Sequence, residues 1–186
     1  ELTLADDRLE AIPYDAPTDL VAMSVETYTA KRAYQIASEY RRRGVPVVMG
    51  GFHAMLQPDE VARHAESVVV GEAEALWPEV VDDWRHGRGR KLYRSEGRPC
   101  LGPSRPDRTI FRGRSYLPIG LVESGRGCPY RCEFCDIIVL YGRKPRTKAP
   151  EQVTRELEVL YDLGWRRPVF VVDDNFIGNK KNAKEM

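Results

Sequence analysis

The chain has 186 residues, 42% of them apolar and 31% charged, with 29 Lys and Arg against 28 Asp and Glu and a formal charge of +1. That balance fits a globular protein of one or two domains. It excludes a collagen, a disordered tail or a low-complexity array, and it leaves no global field to mark a nucleic-acid or membrane-surface binder. No apolar run is long enough to span a bilayer, and Glu1-Leu-Thr-Leu4 does not read as a signal peptide.

In chain order, Leu20–Val25 reads as a buried strand. Residues 31–43 follow with Ala33, Ile36, Ala37 and Tyr40 on one helical face, and Gly44 is placed to end that helix. Val45–Met49 reads as a strand stopped by Gly50-Gly51, with Pro46 confined to its first residue. Pro58 opens a short helix to about Ala65. Ser67–Val70 is a further strand stopped by Gly71, and Leu76, Trp77, Val80, Val81 and Trp84 form the next helical face, with Pro78 tolerable only in its first turn. Continuous apolar strands alternating with amphipathic helices predict a parallel sheet covered on both faces. Residues 85–114 hold ten Lys or Arg against Glu96 and Asp107, with five Gly and three Pro, and read as a connector; aromatic residues are too sparse for a nucleic-acid patch. Leu121–Ser124 is a strand leading into Gly125-Arg-Gly-Cys128. Pro150 opens a helix with Val153, Leu157, Leu160 and Leu163 on one face, ended by Gly164. Val169–Val172 is the next strand, followed by Asp173-Asp174-Asn175, and Gly178-Asn179 can start another helix. The division expected is 1–86, an α/β domain; 87–116, a basic linker; and 117–186, a second α/β segment.

Three of the four cysteines, Cys128, Cys132 and Cys135, fall within eight residues in a C-x3-C-x2-C pattern. Without a secretory signal, clustered cysteines read as metal ligands or redox groups of a reducing cytoplasm before disulfides. Three thiolates suit an iron–sulfur cluster that keeps one iron open, whereas a structural zinc site needs a fourth ligand, for which Cys100 is the candidate.

The pattern Cys128, Cys132, Phe134, Cys135 resembles the radical S-adenosylmethionine (SAM) enzymes. The resemblance implies a 4Fe–4S cluster held by the three cysteines, SAM on the open iron, and reductive cleavage to a 5′-deoxyadenosyl radical. It implies further that Phe134 lies near the adenine and that Asp173, Asp174 and Asn175, which replace the family's common Gly-Gly-Glu, help hold SAM. The loop would then follow the first strand of a partial (β/α) barrel.

Residues 1–86 resemble the cobalamin-binding domain often fused before such barrels, through Gly50-Gly-Phe-His-Ala54, Val70-Gly-Glu-Ala-Glu74 and Trp77-Pro78. The fold class implied is α/β: the C-terminal part of a flavodoxin-like (Rossmann-like) cobalamin-binding domain, then the first βα units of a radical SAM barrel. Gly50, Gly51, Gly71, Glu72 and His53 are the candidate cobalamin residues. His53 is not assigned to cobalt, because the D-x-H-x-x-G motif of methionine-synthase-type proteins is absent. Residues 135–148 and 172–180 resemble the hopanoid C-2 methylase-like subfamily, and Arg143, Lys144, Arg146 and Lys148 are candidates for anionic parts of a cofactor. The expected function is cobalamin-dependent radical chemistry, C-methylation or a related transformation of a small-molecule substrate, a lipid-like one among the candidates, with a protein electron donor, no nucleic acid and no transmembrane segment. The alternative is a non-catalytic zinc- or cluster-binding module. Seventy residues from Leu117 are too few for a barrel, so the chain is expected to be a fragment that does not turn over substrate alone.

Overall fold

The structure is a computed structural model, and it describes residues 1–102 and 106–186; residues 103–105 of the basic stretch lie outside the described part. The chain divides into two compact units, Ala5–Pro99 and a second made of Glu1–Leu4 with Cys100–Met186.

The first unit is a four-stranded parallel sheet in the order β1 (Val21–Ser24), β2 (Val47–Gly50), β3 (Ser67–Val70), β4 (Leu92–Arg94). Parallel neighbours need crossovers. These are α1 (Ala30–Arg42), the short helices α2 (Phe52–Leu56) and α3 (Pro58–Val61), and α4 (Ala73–Arg85). Ala33, Ile36, Ala37 and Tyr40 of α1 are buried against Val47, Met49 and Val68, as the periodicity requires. On the other face Val48 and Val69 pack on Leu76, Val80 and Tyr93. Gly44, at φ +78°, ends α1: its N–H reaches Arg41 O at 2.9 Å and Val45 N–H reaches Tyr40 O at 3.0 Å, so the last carbonyls are satisfied by a left-handed turn.

Three details differ from the sequence reading. Pro78 sits inside α4 as its sixth residue, past the first turn, because the helix begins at Ala73. The Phe52–Leu56 helix follows β2 directly, where only a turn is legible. The basic stretch contains β4, an edge strand whose central Tyr93 is buried while Leu92 and Arg94 are exposed.

In the second unit, β5 (Gly120–Val122) pairs in parallel with β8 (Val169–Val171). Between them lie β6 (Gly125–Arg126) paired antiparallel with β7 (Arg146–Thr147), the four-residue helix α5 (Ile137–Leu140), and α6 (Pro150–Asp162). Helix α7 (Lys180–Glu185) follows β8, and Asn179 Oδ1 caps it by accepting from Asn182 N–H at 3.3 Å. Val153 and Leu160 of α6 bury Val122, with Trp165 at the margin. The other face of this two-stranded sheet is uncovered, so Phe170 is 62% exposed. All three residues of β8, Val169, Phe170 and Val171, are exposed. No helix among the described residues is long and apolar enough to cross a membrane.

Candidate functional site

Strand β5 ends at Val122, and the chain then runs through Ser124, Gly125 and Gly127 into the cysteine loop. The entry is closely built. Gly127 has φ +89°, and a Cβ there would stand 3.0–3.3 Å from the carbonyl oxygens of Gly142, Lys144 and Tyr141. Cys128 N–H donates to Gly142 O at 3.2 Å, and Cys135 N–H to Cys132 O at 3.1 Å, which closes the Cys132–Cys135 turn. Cys128 and Cys135 are half-buried, Cys132 and Cys100 are exposed, and all four are free thiols.

The residues after β8 brace this entry from the neighbouring strand. Asp173 accepts from Ser124 N–H at 2.6 Å and also from the Ser124 hydroxyl. Asp174 accepts from Gly127 N–H at 2.8 Å. Asn175 Nδ2 stands 3.4 Å from Cys128 Sγ. Burial raises the Asp174 carboxyl above the ordinary carboxylate range and the neighbouring Asp173 adds to the rise, while the Gly127 N–H and the charges of Arg126 and Arg146 pull it back. A shallow hollow opens beside this brace, lined by Ser124, Gly125, Arg146, Asp173, Asn175 and Asn179 among others.

The sequence-predicted residues 128, 132, 135, 173, 174 and 175 therefore share one loop-and-strand-end region. Among the described residues no three Cys, His, Asp or Glu are gathered so as to hold one metal ion, so the sulfurs share a loop without sharing a centre. The donor set still fits a cluster: three unbridged thiols on eight residues, where closing the loop on a ligand costs little entropy. Phe134 is 93% exposed and belongs to no core cluster. Lys148, a candidate for contact with a cofactor, instead sits buried beside Glu156, with Nζ–Oε1 at 2.5 Å. Of the four basic candidates, Arg146 lines the hollow; Asn179 also lines it and was not singled out as a site residue. Asn179 was legible only as a helix start.

The first unit offers a second candidate site at the carboxyl edge of its sheet, where doubly wound folds bind ligands. Gly51 has φ +94°, and a Cβ on it would lie 2.7 Å from Val25 N. Gly71 has φ +116°, and a Cβ there would lie 2.7 Å from the Ser95 Cβ. The fold itself requires both glycines. Gly50 differs, since its Cβ would meet Val69 only at ordinary contact, 3.6 Å. Internal packing does not call for glycine there. Glu72 is buried directly after Gly71. His53 is 6% exposed, with Nδ1 at 3.3 Å from Thr27 Oγ1 and Nε2 at 3.1 Å from Tyr34 OH and 3.4 Å from Glu60 Oε1. Both ring nitrogens are engaged within the unit. The same contacts hold Tyr34, which burial, and next the Glu60 carboxylate, pushes up to about 12.

No family model matches the chain. A hopanoid C-2 methylase of Rhodopseudomonas palustris is 53% identical over 148 residues, covering 76% of this chain and 28% of that protein. An uncharacterized methyltransferase of Synechocystis sp. is 45% identical over 147 residues, 78% of this chain and 27% of that protein. A bacteriochlorophyllide d C-8(2)-methyltransferase of Chlorobaculum tepidum is 33% identical over 202 residues, 99% of this chain and 44% of that protein. The chain thus spans less than half the length of these curated relatives. Among solved structures, the radical S-adenosylmethionine methyltransferase TsrM of Kitasatospora setae, with cobalamin and a [4Fe-4S] cluster bound, superposes with a TM-score of 0.69 at 20% identity, over 92% of this chain and 40% of that one.

Proposed function

Because the chain is a homologue of the hopanoid C-2 and bacteriochlorophyllide methyltransferases and has the fold of a radical SAM methyltransferase, we propose that it forms the corrinoid-binding and cluster-binding parts of a cobalamin-dependent radical SAM enzyme that methylates carbon. The observation that carries the reading is the loop after β5: three free thiols in the C-x3-C-x2-C spacing, entered through a tight Gly127 turn and braced by the three residues that follow the parallel partner strand.

In this reading Cys128, Cys132 and Cys135 hold three irons of a 4Fe–4S cluster. Bound there, the cluster and cobalamin supply the electron that cleaves SAM and the cobalt that carries a methyl group. The chain's own residues bind and orient. Phe134 presents an exposed ring to the adenine, whose face it can stack on without disturbing any packing. Asp174, which accepts from Gly127 N–H just beyond β8, would hold the ammonium of SAM. In the first unit Gly50 gives a flat corrin access to the sheet edge, with Gly51, Gly71 and Glu72 shaping the turns around it. His53, with both nitrogens engaged, is not a cobalt ligand. The substrate is a small molecule, a lipid-like one in keeping with the hopanoid relative. A reducing protein supplies the electron, and unbridged clustered thiols are in keeping with a reducing cytoplasm.

Anaerobic reconstitution with iron and sulfide tests the reading. We expect about four irons per chain with broad visible absorption, both lost in Cys128→Ala, Cys132→Ala or Cys135→Ala. About one zinc per chain with no sulfide, lost in Cys100→Ala as well as in those variants, would establish the non-catalytic module instead.

A further inference from the structure

Resemblance assigns the residues after the second barrel strand to SAM. The side chain of Asn175 points to different work. Its Nδ2 donates to Cys128 Sγ at 3.4 Å, within sulfur's longer hydrogen-bond reach. The amide is held there. Gly178 N–H donates back to Asn175 O at 3.1 Å, and a Cβ on Gly178 would stand 3.1 Å from Pro129 Cδ and 3.3 Å from Asn175 Cγ. The 175–178 turn therefore packs against both Asn175 and the residue after Cys128, with no room for a side chain between. Asp173 and Asp174 hold Ser124 and Gly127 from the same strand end. Asn175 takes the next point along, and that point is a thiol.

An amide NH2 can only donate, so its partner sulfur is the acceptor, and more strongly so as a thiolate than as a thiol. A hydrogen bond to a ligand sulfur draws off negative charge, which stabilises the reduced cluster over the oxidised one and raises its reduction potential. We propose that Asn175 is a positioning residue of the cluster: its side-chain amide orients the Cys128 thiolate and makes the cluster easier to reduce. This rests on the reading of the three cysteines as cluster ligands and deepens it.

The test uses the full chain, reconstituted anaerobically and titrated with dithionite and redox mediators, with the reduced cluster followed by electron paramagnetic resonance. Asn175→Leu removes the donor at similar size, and Asn175→Gln keeps a donor. Wild type and Asn175→Leu should take up the same iron and sulfide, with the midpoint potential of Asn175→Leu shifted downward and that of Asn175→Gln moved back toward wild type. If Asn175→Leu fails to load, restored loading in Asn175→Gln supports the same role, and failure of both overturns it. A loaded Asn175→Leu with an unmoved potential overturns the inference alone, as does one whose only defect is weaker SAM binding in equilibrium dialysis. A wild-type chain that takes up no iron and sulfide brings down the functional reading and this inference together.

Discussion

Adjacent glycines can be glycine for unrelated reasons, and Gly50 and Gly51 are separable on that ground. Gly51 has a left-handed backbone and a Cβ position 2.7 Å from Val25 N, so Gly51→Ala should destabilise the chain by about 1–3 kcal/mol and lower its melting temperature. Gly50→Ala meets only ordinary contact. It should leave the melting curve unchanged while weakening binding of hydroxocobalamin, followed by its visible absorption. A Gly50→Ala chain that binds as wild type would show that no corrin approaches this edge. Glu39 gives a pH signature. Arg42, then Arg43, hold its carboxyl down from 4.5 to about 2. The folded value is depressed, so its contribution is full above pH 4.5 and is lost as the pH falls through about 2. Thermal melts of Glu39→Gln should lie below wild type at neutral pH and converge with it in that acid window.

At the scale of elements, an ionic group forms inside the second unit, between Arg108, Lys148 and helix α6. Glu156 of α6 is buried, with Lys148 Nζ at 2.5 Å and Arg108 Nη2 at 3.7 Å. Lys148→Met leaves the carboxylate buried with the more distant partner alone, and should cost about 3 kcal/mol in denaturant unfolding. Lys148→Met combined with Glu156→Leu should cost less than the two separate losses added, because no orphaned carboxylate remains. This pair also marks where sequence reasoning stops. The two residues are eight apart across a turn, no helical or strand rule couples them, and Lys148 alone reads as a solvated or ligand-facing cation. By contrast the bounds of α1 and α6 were legible to within a residue, and so was the buried face of α1, because apolar positions at helical spacing and a glycine in a left-handed stop specify them; of the face expected for α6, Val153 and Leu160 are buried while Leu157 and Leu163 are exposed and Glu156 takes a buried place. Strand β4 was hidden because it is a three-residue edge with one buried side chain, too short for alternation to show. Strand β8 was legible as a strand, its exposure was not: apolar residues predict a strand, and what covers it is decided elsewhere in the fold.

For the whole chain, the presence of two compact units, each with its own apolar cluster, predicts unfolding that is not two-state. Helical circular dichroism, dominated by α1 and α4 together with α6, should not track the fluorescence of Trp165, which reports the second unit alone once Trp77 and Trp84 are replaced by Phe. Coincident transitions would mean that the units melt as one. The cysteine spacing made the cluster loop legible from its own eight residues. Its brace was not, since Asp173, Asp174 and Asn175 act on partners 47–49 positions away, and sequence alone gives no such distances. The accessibility of those sulfurs has a practical corollary. Cys100 and Cys132 face solvent and none of the four cysteines is bridged, so metal-free polypeptide handled in air should cross-link between molecules into a ladder on a non-reducing gel that collapses with dithiothreitol. In a cell, the interval between the ribosome and iron delivery would be the vulnerable stage of this protein's life.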